Sequence, residues 1–157
     1  MKLIRRSHAR LVFLLGHREG NLLLQVLKRY PRVPSAHQPI SRSSLLPNQE
    51  ETQRLLDEAL AEQRADCKKQ LRALLADPRR FEKVDAGFRL SLSPSDTEWL
   101  LQVLNDIRVG SWIILGSPEA KPGSLNTRTA ADFWAMELAG AFQAELLQAL
   151  EGGEDDQ

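Results

Sequence analysis

The apolar and polar positions along the chain predict two strands, each followed by a helix. Residues 10–15 form a short apolar run, and residues 87–92 alternate apolar with polar side chains, as buried and half-buried strands do. After each strand, apolar residues recur at three- and four-residue steps, which is the helical period. Pro31 is expected to end the first helix. Ser93 is the expected N-cap of the second, which continues to about Leu115.

Two longer helices are predicted, one closing each half of the chain. The first spans about residues 48–76, with Asn48 as its expected N-cap and one apolar stripe among charged residues. The second spans about residues 129–150, and apolar side chains cover more than half of its circumference, so we expect it to lie centrally. Four prolines in residues 31–48 disfavour a regular element and predict a long loop.

A phrase of five residues, LLQVL, occurs at residues 23–27 and again at residues 100–104. The sequences around the two copies align without gaps at an offset of 77 residues, which places Phe13 on Leu90. A leucine-rich chain can repeat five residues by chance. However, strand, turn and helix start also match in the same register, which indicates a duplicated structural unit and a pseudo-two-fold domain.

The predicted fold is mainly α within the α+β class. It is a four-helix domain, close to an all-α helical bundle, around a small two-stranded antiparallel ribbon. The ribbon pairs the two predicted strands, because a two-fold axis through it requires them to be antiparallel, and helices must pack against it. The two strand–helix–helix halves cover about residues 9–76 and 86–150. Both belong to one domain, residues 1–151, and residues 152–157 are an acidic tail expected to be disordered.

The composition is that of an ordinary globular domain: 157 residues, 42% hydrophobic and 27% charged. The longest apolar runs are far shorter than the ~20 residues of a membrane span, so no membrane association is expected. The single cysteine, Cys67, excludes an internal disulfide and a cysteine-based zinc site, and it favours a cytoplasmic location.

The formal net charge is zero, but the charges are unevenly distributed. Residues 1–48 carry nine Lys and Arg and one acid, and the rest of the chain is correspondingly acidic. Either the two parts attract each other within the fold, or a basic face binds an anionic partner such as a nucleic acid. The residues of that candidate face are Arg5, Arg6, Arg10, Lys28, Arg29 and Arg32. No nucleic-acid reader motif accompanies them, so a solvated basic face is preferred.

One group of polar side chains interrupts the apolar helices of the second half. Asn105 and Arg108 are three residues apart and share a helix face, with Trp112 one turn further on. Glu137 is an acid among apolar neighbours in the last helix. We interpret Arg108 and Glu137 first as a buried or rim ion pair that fixes a helix crossing. The alternative is a binding or catalytic cluster of Asn105, Asp106, Arg108, Trp112 and Glu137.

The sequence contains no motif for catalysis, metal binding or cofactor binding. Its three histidines are scattered, and none is spaced for a metal site with another histidine or with a set of carboxylates. There is no glycine-rich phosphate loop, nucleophile elbow or zinc-protease motif. Cys67 lies in a helical stripe, where a packed thiol is expected. No cofactor or metal is therefore expected.

The segment WLLQVLNDIRVGSWIILG, residues 99–116, resembles the core motif of an uncharacterised bacterial family, domain of unknown function two thousand and seventeen. The preceding strand and the earlier long helix are similar to the family pattern as well. The residues that carry the resemblance are Trp99, Asn105, Asp106, Arg108 and Gly116. The resemblance implies a bacterial protein without an established activity, and at most a loose link to protein turnover or regulation.

Together these features favour a non-enzymatic protein-interaction or regulatory module with an unknown protein partner. A homodimer is left open. The alternative is a small enzyme or ligand-binding domain that uses Asn105, Asp106, Arg108 and Glu137, whose side chains should then converge on an open pocket. Nucleic-acid binding through the basic face is the weaker alternative.

Overall fold

The computed structural model describes residues 1–34, 49–116 and 127–152, which form four strands and four helices. In chain order these are β1 (Lys2–Arg6), β2 (Leu11–Gly16), α1 (His17–Leu27), α2 (Gln49–Ala76), β3 (Phe81–Val84), β4 (Gly87–Leu92), α3 (Pro94–Ile114) and α4 (Thr127–Glu151). The expected Asn48 cap, most of the predicted loop and nearly all of the acidic tail lie outside the described residues.

The strands form one antiparallel sheet in the order β1-β2-β4-β3. The predicted antiparallel pairing of β2 with β4 at its centre is confirmed, with Leu15 opposite Phe88. Phe13 faces Leu90, and these two residues are equivalent at the repeat offset of 77. A residue that faces its own repeat equivalent lies on a two-fold axis, so the pseudo-symmetry axis passes through this pair.

The prediction of a two-stranded ribbon, and with it of an all-α helical bundle, is wrong. β1 and β3 pair with the outer edges of β2 and β4 and widen the ribbon to a four-stranded sheet. Each half is therefore a hairpin followed by two helices, rather than a single strand followed by two helices. Both edge strands are short, and each contains only two apolar residues, in the sequences KLIRR and FEKV, so neither shows the apolar run or alternation that identified the central strands.

The hairpin of the second half requires a glycine directly after its turn. Gly87 has a φ of +139°, a conformation that residues with a side chain rarely adopt. A Cβ atom at this position would lie 2.1 Å from the carbonyl oxygen of Leu15 on the neighbouring strand. The close approach of the two central strands therefore excludes any larger residue here.

One face of the sheet packs against α1, α3 and α4 to form the core. The side chains of this face come from every second position of β2 and β4. They are Leu11, Phe13, Leu15, Phe88, Leu90 and Leu92, and all are buried. α4 adds a buried stripe at three- and four-residue steps, made of Ala135, Ala139, Phe142, Leu146 and Ala149. Each fully buried Leu or Phe contributes roughly 1.5–3 kcal/mol.

The helices that follow the two central strands begin in the same way. The predicted cap at Ser93 is confirmed: its Oγ accepts a hydrogen bond from the Asp96 N–H at 3.0 Å, and Asp96 Oδ2 accepts one from the Ser93 N–H at 3.1 Å. In the first half, Gly16 occupies the equivalent position, and its N–H donates to Glu19 Oε2 at 3.0 Å. Both caps place an acid in the first helical turn, where the helix dipole stabilises it.

Candidate functional site: a groove between helices α3 and α4

An open groove of about 700 Å³ runs between the C-terminal half of α3 and the middle of α4. Its walls are formed by Arg108, Val109 and Trp112 from α3 and by Met136, Glu137, Gly140 and Ala141 from α4. Three residues of the predicted cluster, Arg108, Trp112 and Glu137, therefore lie on one surface.

The charged side chains of the groove do not neutralise each other. Arg108 and Glu137 are both exposed, and within the described part of the chain no ion pair joins them. Arg108 Nη2 instead donates to Asn105 Oδ1 at 3.2 Å, one turn away on the same helix. The aliphatic part of Arg108 lies over Gly140, where a Cβ atom would be 3.6 Å from Arg108 Cδ. The predicted ion pair is thus not formed, and both charges remain available in the groove.

Large apolar side chains are exposed on both helices that form the groove. Trp112 and Ile114 on α3 are 40% and 42% exposed, and Trp134 on α4 is 63% exposed. The rings of Phe133 and Trp134 meet edge to face with their centroids 6.2 Å apart. The sequence predicts that the apolar residues of α4 lie inside, but alanines fill much of its buried stripe and Trp134 is exposed. In the groove itself, Trp112 adds exposed apolar surface beside Arg108 and Glu137, as is typical of interaction sites.

Asp106 faces away from the groove and holds a chain segment that crosses α3. Its Oδ1 accepts hydrogen bonds from the backbone N–H groups of Arg32 at 2.6 Å and Val33 at 3.3 Å. The Arg64 guanidinium donates to the Val33 carbonyl at 2.6 Å. Gly110 lies beneath the crossing, since a Cβ atom there would be 2.3 Å from the Arg32 carbonyl carbon. The predicted five-residue cluster is therefore divided between two sides of α3.

Two arginines of the predicted basic face bind a buried carboxylate within the fold. Asp132 of α4 is 4% exposed. Its Oδ1 accepts hydrogen bonds from Arg29 Nη2 and Arg32 Nη2, each at 2.6 Å. This arrangement supports the interpretation in which the basic N-terminal part and the acidic remainder of the chain attract each other.

The other four residues of the predicted basic face differ in their surroundings. Arg6 donates to the carbonyl oxygen of Ala149, and Arg10 Nη1 donates to Ser91 Oγ at 3.4 Å. Arg5 and Lys28 are exposed. The six side chains thus do not form one continuous free surface for an anionic partner.

Asp132 is the residue that sequence reasoning missed. It begins the buried stripe of α4, which continues at three- and four-residue steps through Ala135 and Ala139. Glu137 attracted attention because its sequence neighbours are apolar, but helical spacing places it off that stripe. The sequence signal was the helical spacing that places Asp132 on the same side as the core positions of α4. A buried carboxylate requires a basic partner, so this spacing indicates an ion pair.

A smaller cavity of about 160 Å³ lies between α2 and α3, beside Tyr30, Cys67 and Asp106. Burial raises the pKa of the Tyr30 hydroxyl, and a hydrogen bond with Cys67 raises it further. The phenol therefore stays protonated at neutral pH and supplies no base to the half-buried thiol. This arrangement is a packing contact rather than an activated nucleophile.

The polar groups of the first helix start also serve the fold. His17 Nε2 lies 2.9 Å from the carbonyl oxygen of Asp85, and its ring meets the ring of Phe88 edge on. The described residues contain no group of three or more His, Cys, Asp or Glu side chains that could hold a metal ion. None of the described helices is both long and apolar enough to cross a membrane.

Comparisons with known proteins assign no family to the chain. Protein-family models, curated proteins and solved structures all give no match. The resemblance of residues 99–116 to the uncharacterised bacterial family stays a prediction, and the groove must be interpreted from its own geometry.

Proposed function

We propose that the protein is a non-enzymatic interaction module that binds an amphipathic helix in the α3–α4 groove. The observation that carries this proposal is one open surface where apolar side chains flank two opposite charges that are not paired with each other. Two adjacent helices present ridges and a groove into which a third helix packs. Such a helix is recognised through apolar anchors at positions i, i+3 or i+4, and i+7.

The side chains of the groove define the chemistry of the partner. Its apolar anchors would pack against Trp112 and Met136, because exposed tryptophans are the side chains that most often dominate binding at protein interfaces. An acidic residue would meet Arg108, and a basic residue would meet Glu137. These two contacts would fix the orientation of the bound helix.

The geometry gives less support to a small enzyme or ligand-binding domain. That alternative needs Asn105, Asp106, Arg108 and Glu137 around one centre. Asp106 hydrogen-bonds to backbone amides on the other side of α3, and Asn105 accepts from Arg108. One guanidinium and one carboxylate remain in an open groove, and no nucleophile lies among its described lining residues. Nucleic-acid binding is weakened in the same way, because Arg29 and Arg32 are engaged by Asp132.

The resemblance to domain of unknown function two thousand and seventeen supports a bacterial origin and a fold shared with that family. Two of its five motif residues serve the fold: Trp99 Nε1 donates to Asp96 Oδ1 at 3.4 Å, and Gly116 follows α3 with a φ of +83°. Arg108, another of the five, lines the groove. The single half-buried cysteine supports a cytoplasmic location.

A photo-crosslinking amino acid at Ala141, introduced in the native cell, tests the proposal. Ala141 is exposed in the groove, and Glu58, exposed on α2, is the matched control position. We expect a discrete cross-linked protein species from position 141 and none from position 58. The Trp112→Ala variant should reduce the yield of that species. If position 141 of the folded protein forms no cross-link to any protein, the groove does not bind a helix and the proposal fails.

A further inference from the structure

Helix α4 is apolar on two opposite sides, and the described elements cover one of them. The covered side carries the buried stripe from Ala135 to Ala149. Away from that stripe lie Trp134, which is 63% exposed, and the groove residues Met136 and Ala141. A helix that is apolar all round is normally buried all round. The open side of α4 therefore has the character of an interface.

We infer that a second copy of this chain covers the α3–α4 groove, so that two groove surfaces pack face to face. This inference rests on the proposed function, because it names the partner whose helices cover the groove. Charge complementarity selects the second copy. An occupant must present an acid to Arg108 and a base to Glu137, and the groove of an identical chain presents this pair of charges at the required spacing.

A two-fold axis along the groove satisfies both contacts at once. It places α3 of one copy over α4 of the other, so Arg108 of each copy faces Glu137 of the other copy. In such a self-complementary interface, every contact occurs twice. The two residues lie at similar heights along the groove. Arg108 Cδ lies over Gly140, at 3.6 Å from a Cβ placed there. Gly140 is three residues from Glu137, or about 4.5 Å along the helix.

The apolar residues fit the same arrangement. Trp112 lines the groove and is 40% exposed, so it would anchor the four-helix interface between the two copies. Gly140 has no side chain and that of Ala141 is small, so a helix of the second copy can approach this part of the groove closely. Small residues next to an aromatic side chain allow the two copies to pack as densely as stable interfaces do.

Charge reversal distinguishes a second copy from any other occupant. In sedimentation experiments on the full chain, we expect wild-type protein to form a concentration-dependent dimer. Arg108→Glu and Glu137→Arg should each weaken self-association by at least about tenfold, because like charges then face each other twice. An equimolar mixture of the two variants should recover the wild-type association, because each reversed pair is again opposite in charge. The double variant should recover it as well.

Matched controls separate this effect from a general change of charge. Arg72→Glu and Glu58→Arg alter exposed residues of α2 and should leave self-association unchanged. Ala141→Trp fills the groove without changing charge and should abolish the dimer. Circular dichroism of each variant establishes that it is folded. Every variant is compared with the wild type over the same series of protein concentrations.

Two outcomes overturn the inference. If the wild-type chain remains monomeric up to about millimolar concentration, the groove does not bind a second copy. If it dimerises but the reversals behave like the α2 controls, the copies meet elsewhere. In either case, a cross-link from position 141 to a different protein would leave the proposed function standing. Failure of that cross-link together with a monomeric chain would remove both.

Discussion

The two halves of the chain share one order of elements but use their long helices differently. α2 has 28 residues and buries only Leu71 and Leu74, near its C-terminal end. α4 has 25 residues and contributes a full stripe to the core, together with the buried carboxylate of Asp132. The same repeated unit thus produces a largely exposed helix in one copy and a central helix in the other.

The difference begins where the first helix of each half ends. α1 stops at Leu27, which is equivalent to Leu104 at the offset of 77, whereas α3 continues for ten more residues to Ile114. Those ten residues include Asp106, Gly110 and Trp112, and they lie along α4. The duplicated strands and helix starts form the part of the fold that the two halves share, and the extension of α3 creates the groove. The functional surface is therefore the part of the molecule that departs from the repeat.

Removal of the Asp132 carboxylate should lower the stability of the fold more than any other change predicted here, because it breaks a contact between the two halves. Asp132→Ala leaves Arg29 and Arg32 without their carboxylate partner, and losing one member of a buried ion pair costs about 3–5 kcal/mol. We expect a value near 3 kcal/mol, because the two arginine side chains are 29% and 31% exposed. Chemical denaturation measures the free energy of unfolding. Glu58→Ala removes an exposed acid of α2; it is the control and should change that free energy by less than about 0.5 kcal/mol.

The two glycines on the facing helices should respond to alanine in opposite directions. Gly110→Ala places a Cβ atom 2.3 Å from the backbone of Arg32, so the crossing segment must move, at a cost of about 2 kcal/mol. Gly140→Ala meets only Arg108 Cδ at 3.6 Å and should stabilise α4 by about 0.5–1 kcal/mol. Thermal unfolding of both variants gives the comparison. Equal effects would mean that the segment does not cross tightly over Gly110.

The equivalent helix caps offer a smaller test. Ser93→Ala removes the hydroxyl that accepts from Asp96 and should cost about 1 kcal/mol. At the equivalent position of the first half, Gly16→Ser should stabilise the protein by a few tenths of a kcal/mol, about the difference between glycine and serine as caps. A Cβ atom at Gly16 has room, since its nearest neighbour is Glu19 Oε2 at 3.9 Å. Loss of stability in Gly16→Ser would contradict the equivalence of the two caps.

The acids of the two caps should differ in their pH dependence. Glu19 accepts a hydrogen bond from the α-amino group of Met1, whereas Asp96 pairs with Arg80 at 3.3 Å. Burial alone would lower the pKa of the amine, but hydrogen bonds to Glu19 and Glu145 outweigh it and raise that pKa. The same hydrogen bond, followed by that from the Gly16 N–H, lowers the pKa of Glu19.

The sign of each shift gives the expected profile. The raised amine pKa stabilises the fold below the unfolded amine pKa of 8.0, and this contribution is lost as pH rises through the folded value. The lowered Glu19 pKa stabilises the fold above 4.5 and is lost as pH falls. The stability difference between wild type and Glu19→Gln should therefore be largest between these limits and stay below about 1 kcal/mol, because Glu19 is 46% exposed. Asp96 pairs with Arg80 and not with the α-amino group, so Asp96→Asn is the control and should lack the alkaline decline that the amine causes. If the stability differences of both variants declined in parallel at alkaline pH, this contrast between the two caps would be refuted.

The central strands and the four helices could be predicted because their apolar periods are local. Leu15 and Phe88 lie in segments whose alternation or apolar run is visible within six residues. β1 and β3 could not be found in this way, because an edge strand owes its structure to backbone pairing with its neighbour rather than to its own side chains. The all-α interpretation followed directly from missing those two strands.

The groove was predictable only in part. Arg108, Trp112 and Glu137 could be selected as unusual side chains in apolar helices, and they do share one surface. The roles of Asp106 and Asp132 depend on contacts with residues 74 and 103 positions away in sequence. Helical spacing alone could suggest that Asp132 is buried, but not that two arginines meet it.

The pairing of Phe13 with Leu90 bears on the ancestry of the chain. In a half-length ancestor carrying one copy of the repeat, the same sheet would form only between two separate molecules, and position 13 would meet its own counterpart across that boundary. Gene duplication and fusion would then have turned a subunit boundary into the centre of a single domain. After such a fusion the two copies would have been free to diverge, and the longer helix that carries the groove is the difference between them.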